Sequence, residues 1–326
     1  MNMRQEINVK PKMNGQMKKN IPFSKRFLKQ WDLQIMVIPA VILLIVFAYI
    51  PMWGVLMSFQ QYNLFKGFTG SPWVGLMQFK MLFNAPEFPI IMRNTLVISI
   101  LKLIFGFPAP IILALMFNEV KSKRFKNAVQ TITYMPYFIS WVVVAGFVFN
   151  IYGTSDGIIN SMLTSSDLIH KPLEFLTSPK YFWGILVSTG IWKEIGFGAI
   201  IYLAAIAGID PSLYEAANVD GATKLQKIFN ITLPCIAPTI VILLILAVGN
   251  ILNSGFEDIL LLTNNGKNAI LADVATNLDV YVYKQGLTNM RYSYATAAGL
   301  FKSVINIIML GIANYTAKKI NDTSLW

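Results

Sequence analysis

The chain has almost no cysteine, almost no histidine and little charge. Cys235 is the single cysteine and His170 the single histidine in 326 residues. One thiol excludes an intramolecular disulfide or a thiolate metal cluster, and one imidazole excludes a His-based metal site. Charged residues make up 13% of the chain, whereas a soluble domain carries about a quarter. A G-x-x-x-x-G-K-[ST] phosphate loop is also missing. Gly266-Lys267-Asn268 lacks the upstream glycine and follows no suitable strand. The chain therefore offers no P-loop site for nucleotide hydrolysis.

What is present is apolar. Hydrophobic residues are 55% of the chain, and mean hydropathy is +0.54. Apolar runs occupy roughly residues 33–57, 92–117, 128–151, 181–208, 237–254 and 294–316. Most hold the twenty or so residues that a helix needs to cross hydrocarbon. The fifth is short and is expected to continue past Gly255. The expected fold is an all-α membrane protein with six transmembrane helices. Its divisions are a basic segment over 1–32, a membrane domain over 33–316 and a tail over 317–326. No internal repeat or low-complexity block stands out.

Net charge is +11. The basic residues sit beside apolar runs and not on base-reading motifs, so anionic lipid headgroups are the expected partner and nucleic acid is not. Arg4, Lys10, Lys12, Lys18, Lys19, Lys25, Arg26 and Lys29 precede the first run. Lys121, Lys123, Arg124 and Lys126 follow the second, Lys224 and Lys227 lie between the fourth and fifth, and Lys318 and Lys319 follow the sixth. The positive-inside rule then puts both termini in the cytoplasm and the His170 loop outside. About thirty polar residues precede a spanning-length run without a cleavage site, which reads as a signal anchor. Residues 1–20 are expected to be disordered. In 21–33, Phe23, Phe27, Leu28 and Trp31 alternate with Lys25, Arg26 and Lys29. That pattern suits a helix on the inner membrane surface, and a solvated basic leader equally. The long external loops, with Tyr62, Phe65, Phe68 and Trp73 in the first, suit either a docking protein or the headgroup zone.

The loop over 209–236 is ordered in its chemistry. Pro211 and Ser212 supply a helix start, and Glu215, Ala216 and Ala217 suit a first turn. Asp220 and Gly221 end that helix, and Leu233-Pro234 opens the next element. The pattern is E-A-A, three residues, G, nine residues, I-x-L-P. It resembles the EAA motif of binding-protein-dependent ABC importers, in which this helix transmits force from the ATPase. The wider chain is similar to the sugar-importer branch, especially members associated with polysaccharide-derived oligosaccharides. The stretches that carry this are Asn94-Thr95-Leu96-Val97-Ile98-Ser99, Phe105-Gly106-Phe107-Pro108-Ala109-Pro110, Tyr134-Met135-Pro136-Tyr137-Phe138-Ile139-Ser140-Trp141, Trp192-Lys193-Glu194 and Gly299-Leu300-Phe301-Lys302-Ser303.

The resemblance implies a type I ABC importer permease in the bacterial inner membrane. It implies a second homologous permease, two ATPase subunits that bind ATP and magnesium, and a lipid-anchored or periplasmic sugar-binding protein. The chain itself would hold no cofactor and no metal, and would catalyse no bond chemistry. It lacks the large periplasmic insertion of the maltose-type member.

Helical rise locates a polar layer. Glu194, Asn250, Lys302 and Lys102 each fall about 20–22 Å from the cytoplasmic end of their helices. A charge at that depth costs a few kcal/mol unless paired or wet. Two arrangements satisfy it. Glu194, Asn250, Asn253 and Ser254 can face a cavity and bind sugar hydroxyls, with Trp192 or Phe197 stacking on the ring. Alternatively, Lys302 or Lys102 neutralises Glu194 and the amides bridge helices. Glu257 and Asp258 are expected just outside the layer, at the entrance. Lys102, Lys193 and Lys302 outnumber the one carboxylate expected there, Glu194. A surplus cation favours an acidic cargo such as a uronate, while structural lysines leave a neutral oligosaccharide. An ion-coupled secondary transporter explains the intramembrane charges but not the 209–236 loop. A membrane scaffold or sensor subunit would show no flux.

Overall fold

A computed structural model describes residues 30–321, 324 and 325. The basic leader and the surface helix expected from residue 21 therefore lie outside the described residues, apart from their last positions, 30–33. The described residues contain helices and no strand, with one isolated bridge between Gln60 and Trp73. Five helices are long and apolar enough to cross a membrane. They are α1 (Trp31–Phe59), α3 (Phe88–Glu119), α7 (Pro179–Ala207), α9 (Lys224–Gly249) and α12 (Tyr292–Asn321). Shorter helices join them: α2 (Met77–Phe83), α4 (Lys123–Tyr134), α5 (Trp141–Tyr152), α6 (Ile158–Ser165), α8 (Pro211–Val219), α10 (Glu257–Leu262) and α11 (Leu278–Tyr283). Most of α1 belongs to a unit of its own that ends at Gly54. None of its residues from Trp31 to Leu44 is buried, as suits an apolar helix in hydrocarbon.

The spans are not uniform helices. Single π-helical turns occupy Ile45–Tyr49, Lys102–Gly106 and Ile228–Thr232. Each ends two residues before a proline: Pro51, Pro108 and Pro234. Proline offers no N–H, and its ring crowds the carbonyl four residues back. A widened turn absorbs that mismatch without breaking the span. The fifth crossing therefore differs from expectation. Pro234 does not open it. It starts at Lys224, under a capping box of Thr223 and Gln226, and ends at Gly249 instead of passing Gly255.

The third apolar run is also not one straight crossing. α4 and α5 meet at 104°. Pro136 sits in a 3-10 turn, Ile139 is extended, and Ser140 starts a new helix by accepting from Val143 N at 3.5 Å. α7 passes against this bend. A Cβ on Gly196 would stand 2.0 Å from the Thr133 carbonyl oxygen, so only glycine lets the backbones approach so closely.

Two apolar clusters hold the ends of the bundle. Ala114 of α3, Ala199, Tyr202 and Ile206 of α7 and Ile236 of α9 pack at the end near α8. Ile98, Val148, Leu186 and Ile259 belong to the cluster at the other end. Between membrane helices the drive is close packing more than release of water. The stretch 255–293, read from sequence as an external loop, is stitched onto the spans at residues 273–278. Asn94 Nδ2 donates to the Asp273 and Thr276 carbonyls at 2.9 and 3.1 Å, Trp183 Nε1 donates to Val274 O at 2.8 Å, and Leu278 N donates to Thr95 Oγ1 at 2.9 Å.

Candidate functional site: a lysine between two polar cavities

The π turn in α3 carries Lys102, which lines two cavities. One, of about 260 Å³, is also lined by Phe107, Asn250, Asn253 and Ser254. The other, of about 200 Å³, is lined by Pro110, Glu194 and Gly198. Lys102 Nζ donates to Asp258 Oδ2 at 2.7 Å. Asp258 comes from the first turn of α10 and also accepts from its neighbour, Ile259 N, at 2.9 Å. Gly255, at φ +115°, lies against this pair. A Cβ there would stand 2.5 Å from Asp258 Oδ1 and 2.7 Å from Lys102 Nζ.

This geometry revises the expected charge pairing. Lys302 binds Asp279 of α11, and Lys102 binds Asp258. Glu194 is left on a cavity wall as the direct partner of neither. Asp258 is buried beneath Lys102 rather than standing at an entrance. Three carboxylates, not one, stand with the three lysines, so the surplus of cations expected from the sequence is not found. The third lysine, Lys193, is buried. Its Nζ donates to the carbonyls of Tyr137 and Ile139 at 2.7 and 2.8 Å, and to Pro136 O at 3.4 Å. Those are the backbone acceptors exposed by the α4–α5 break.

The amides do not bridge helices. Asn250 caps α9, donating to Leu246 O at 3.0 Å, and accepts from Asn253 Nδ2 at 2.8 Å. Ser254 is buried and accepts from Asn277 Nδ2 at 2.7 Å. Phe197 stacks on Tyr137, with centroids 3.9 Å apart and planes 5° apart. Trp192 lies in a separate groove of about 570 Å³ with Val144, Phe147 and Ile151. That groove is lined by no charged group and shares no lining residue with the polar cavities. Sequence reasoning missed Asp279, Asn277 and Tyr137. The available signal was an acid standing directly among apolar residues in Leu278-Asp279-Val280.

A second candidate surface is the 209–236 loop. Asp210, not Pro211 or Ser212, caps α8, and it accepts from Ser212 N at 2.9 Å. The backbone N–H and hydroxyl of Ser212 hold its carboxyl below the usual aspartate range. Glu215, Ala216 and Ala217 lie in the middle of α8. Beyond Asp220 the helix closes through Ala222 N to Ala217 O at 2.9 Å, with Gly221 at φ +71°. That left-handed position favours glycine. Leu233 and Pro234 lie within α9. Tyr214 Oη and Thr232 Oγ1 are 2.9 Å apart, and Lys227 binds Asn218. Lys224 lies 3.5 Å from Glu119 at the end of α3. The outer face stays open, with Val219 88% exposed.

Among the described residues no group of three or more His, Cys, Asp or Glu could hold a metal ion. The chemistry on offer is binding: one cation, one carboxylate, amides and hydroxyls around adjoining cavities.

Residues 106–322 match the family described as binding-protein-dependent transport system inner membrane component. The chain is 42% identical over 301 residues to the polygalacturonan/rhamnogalacturonan transport system permease protein YteP of Bacillus subtilis strain 168, covering 92% of each chain. It also resembles a chain of a bacterial ABC transporter involved in the import of the acidic polysaccharide alginate. That likeness has 44% identity and a TM-score of 0.83, over 91% of this chain and 99% of that one. A bacterial alginate ABC transporter in complex with an alginate pentasaccharide-bound periplasmic protein matches with 44% identity and a TM-score of 0.82, over 93% and 99%.

Proposed function

Given that the chain belongs to the binding-protein-dependent transport system inner membrane components, the permeases of ABC importers, we propose that its cargo is an acidic oligosaccharide cut from a polysaccharide. The observation that carries this reading is Lys102, a cation at the junction of two cavities. Asn250 and Asn253 supply neutral donors and acceptors suited to sugar hydroxyls, and Glu194 marks the second cavity. The alginate and polygalacturonan/rhamnogalacturonan transporters named above support the same cargo class.

The chain works with a second permease, two ATPase subunits that bind ATP and magnesium, and a lipid-anchored or periplasmic sugar-binding protein. The alginate transporter complex with its periplasmic protein supports that assembly. Both termini and α8 face the cytoplasm, as the lysine and arginine bias requires. α8 is the coupling helix. Its exposed Val219 and Glu215 meet the ATPase, and the ties from Lys224, Lys227 and Tyr214 pass its displacement to α3 and α9. Closure of the ATPases then switches the cavities between inward and outward exposure.

Uptake of a labelled uronate oligosaccharide by cells with and without this chain tests the reading. Import is expected to stop without the chain, to require ATP, and to survive collapse of the ion gradients. Uptake that follows an ion gradient in the absence of the ATPases would support a secondary transporter instead.

A further inference from the structure

We propose that Lys102 recognises the cargo's carboxylate with the ammonium donors left free by Asp258, which stays paired behind it. The inference rests on the acidic-cargo reading and assigns the recognition to one ion pair. Three features of the molecule lead to it.

The pair is asymmetric. The Lys102 side chain is 29% exposed and the Asp258 side chain 4%. The lysine is therefore the member a solute can reach, and the aspartate supports it from behind. The Lys302–Asp279 pair is different: its side chains are 17% and 18% exposed, and neither lines the two polar cavities. Lys193 is committed to backbone carbonyls. Of the three intramembrane lysines, Lys102 alone faces both cavities.

The pair also joins two parts of the molecule. Lys102 stands in the π turn of α3, while Asp258 lies in the first turn of α10, which follows the segment whose Asn250, Asn253 and Ser254 wall the first cavity. Gly255 leaves no space for a side chain beside them, and Asn277 Nδ2 fixes its carbonyl at 2.6 Å. The cavity wall is thus seated directly on the ion pair.

Sharing keeps both charges paired. A buried charge stripped of its partner is strongly unfavourable, and Asp258 is the more buried of the two. The Lys102 ammonium gives one hydrogen bond to Asp258 and has donors to spare. An incoming carboxylate takes one of these and leaves Asp258 in place, whereas a neutral sugar brings no charge to the lysine.

The test is transport by proteoliposomes holding the assembled complex, with a uronate oligosaccharide and its carboxyl-reduced neutral analogue. Wild type is expected to prefer the uronate. Lys102→Met is expected to lower that preference at least tenfold. Asp258→Asn is expected to lower the apparent KM for the uronate severalfold and to leave the KM for the neutral sugar unchanged. Lys302→Met, the control, is expected to change both cargoes alike. A preference kept in Lys102→Met overturns the assignment. If that variant fails to assemble, an unchanged or raised uronate KM in Asp258→Asn overturns it independently. A wild type that takes only the neutral sugar overturns the acidic-cargo reading, and the role of Lys102 falls with it.

Discussion

Lys193 donates to the Ile139 carbonyl at 2.8 Å, so a lysine on α7 caps the break between α4 and α5. The Tyr137 and Trp141 rings flank its ammonium at 5.5 and 5.6 Å. In hydrocarbon, broken backbone is tolerated only where its polar groups find partners inside the protein. Lys193 satisfies them with three hydrogen bonds from one group.

Lys193→Met should therefore take the lysine donor from the part-buried Tyr137 and Ile139 carbonyls, each loss costing about 1–3 kcal/mol. The expected result is a lower unfolding temperature of the purified subunit in detergent, followed by tryptophan fluorescence. An unchanged melting temperature would show that the break is held by other contacts.

The coupling role proposed for α8 rests on how that helix ends. Gly221 sits at φ +71°, a conformation proline cannot adopt. Gly221→Pro, or reversal of charge by Glu215→Lys, should abolish transport-stimulated ATP hydrolysis while the subunit still inserts and assembles. Normal stimulation in assembled complexes of both variants would remove α8 from the coupling role.

These features differed in how far the sequence revealed them. The 209–236 helix was legible because its signals are local: a proline, an acid and a glycine at fixed spacing. The long apolar runs were legible for the same reason. The α4–α5 break was written in Pro136 and Ser140, but continuous hydrophobicity through that stretch hid it. The pairing of Lys102 with Asp258 and Lys302 with Asp279 was not legible. The partners are separated by 156 and 23 residues, and no local pattern shows that residues 250–283 return to the spans. Glu194 and Asn250 were selected by depth, Asn253 and Ser254 as polar groups beside them, and all four line cavities. Trp192 and Phe197 share that depth, but they face away from the polar cavities because depth does not specify direction around a helix.

Orientation can be measured with engineered thiols. Cys235 is exposed and must first be replaced by serine. A membrane-impermeant reagent should then label a cysteine placed at Ser165, in α6, and spare one placed at Thr223, beside α8. Tests in cells freed of any outer membrane give both sites equal access to reagent. The reverse pattern would invert the topology.

Gly255→Ala should displace the Lys102–Asp258 pair, since the added Cβ falls within 2.7 Å of both side chains. The φ of +115° adds strain for any L side chain. Transport of either cargo should fall sharply while the amount of inserted protein stays near that of wild type. Full transport in this variant would show that the 250–256 wall can move off the pair without loss.

The π turns ahead of Pro51, Pro108 and Pro234 have a geometric consequence for the spans that contain them. Each holds one residue more than a regular turn, which swings everything beyond it by about 100° around the helix axis. In α3 the swing separates two jobs along one rod. Glu119, after the turn, points its face to the loop that carries Lys224, and Lys102, at the start of the turn, points to the cavities. A helical wheel drawn straight through residues 88–119 would assign these two residues to the wrong relative directions, and the proline marks where the wheel must be cut.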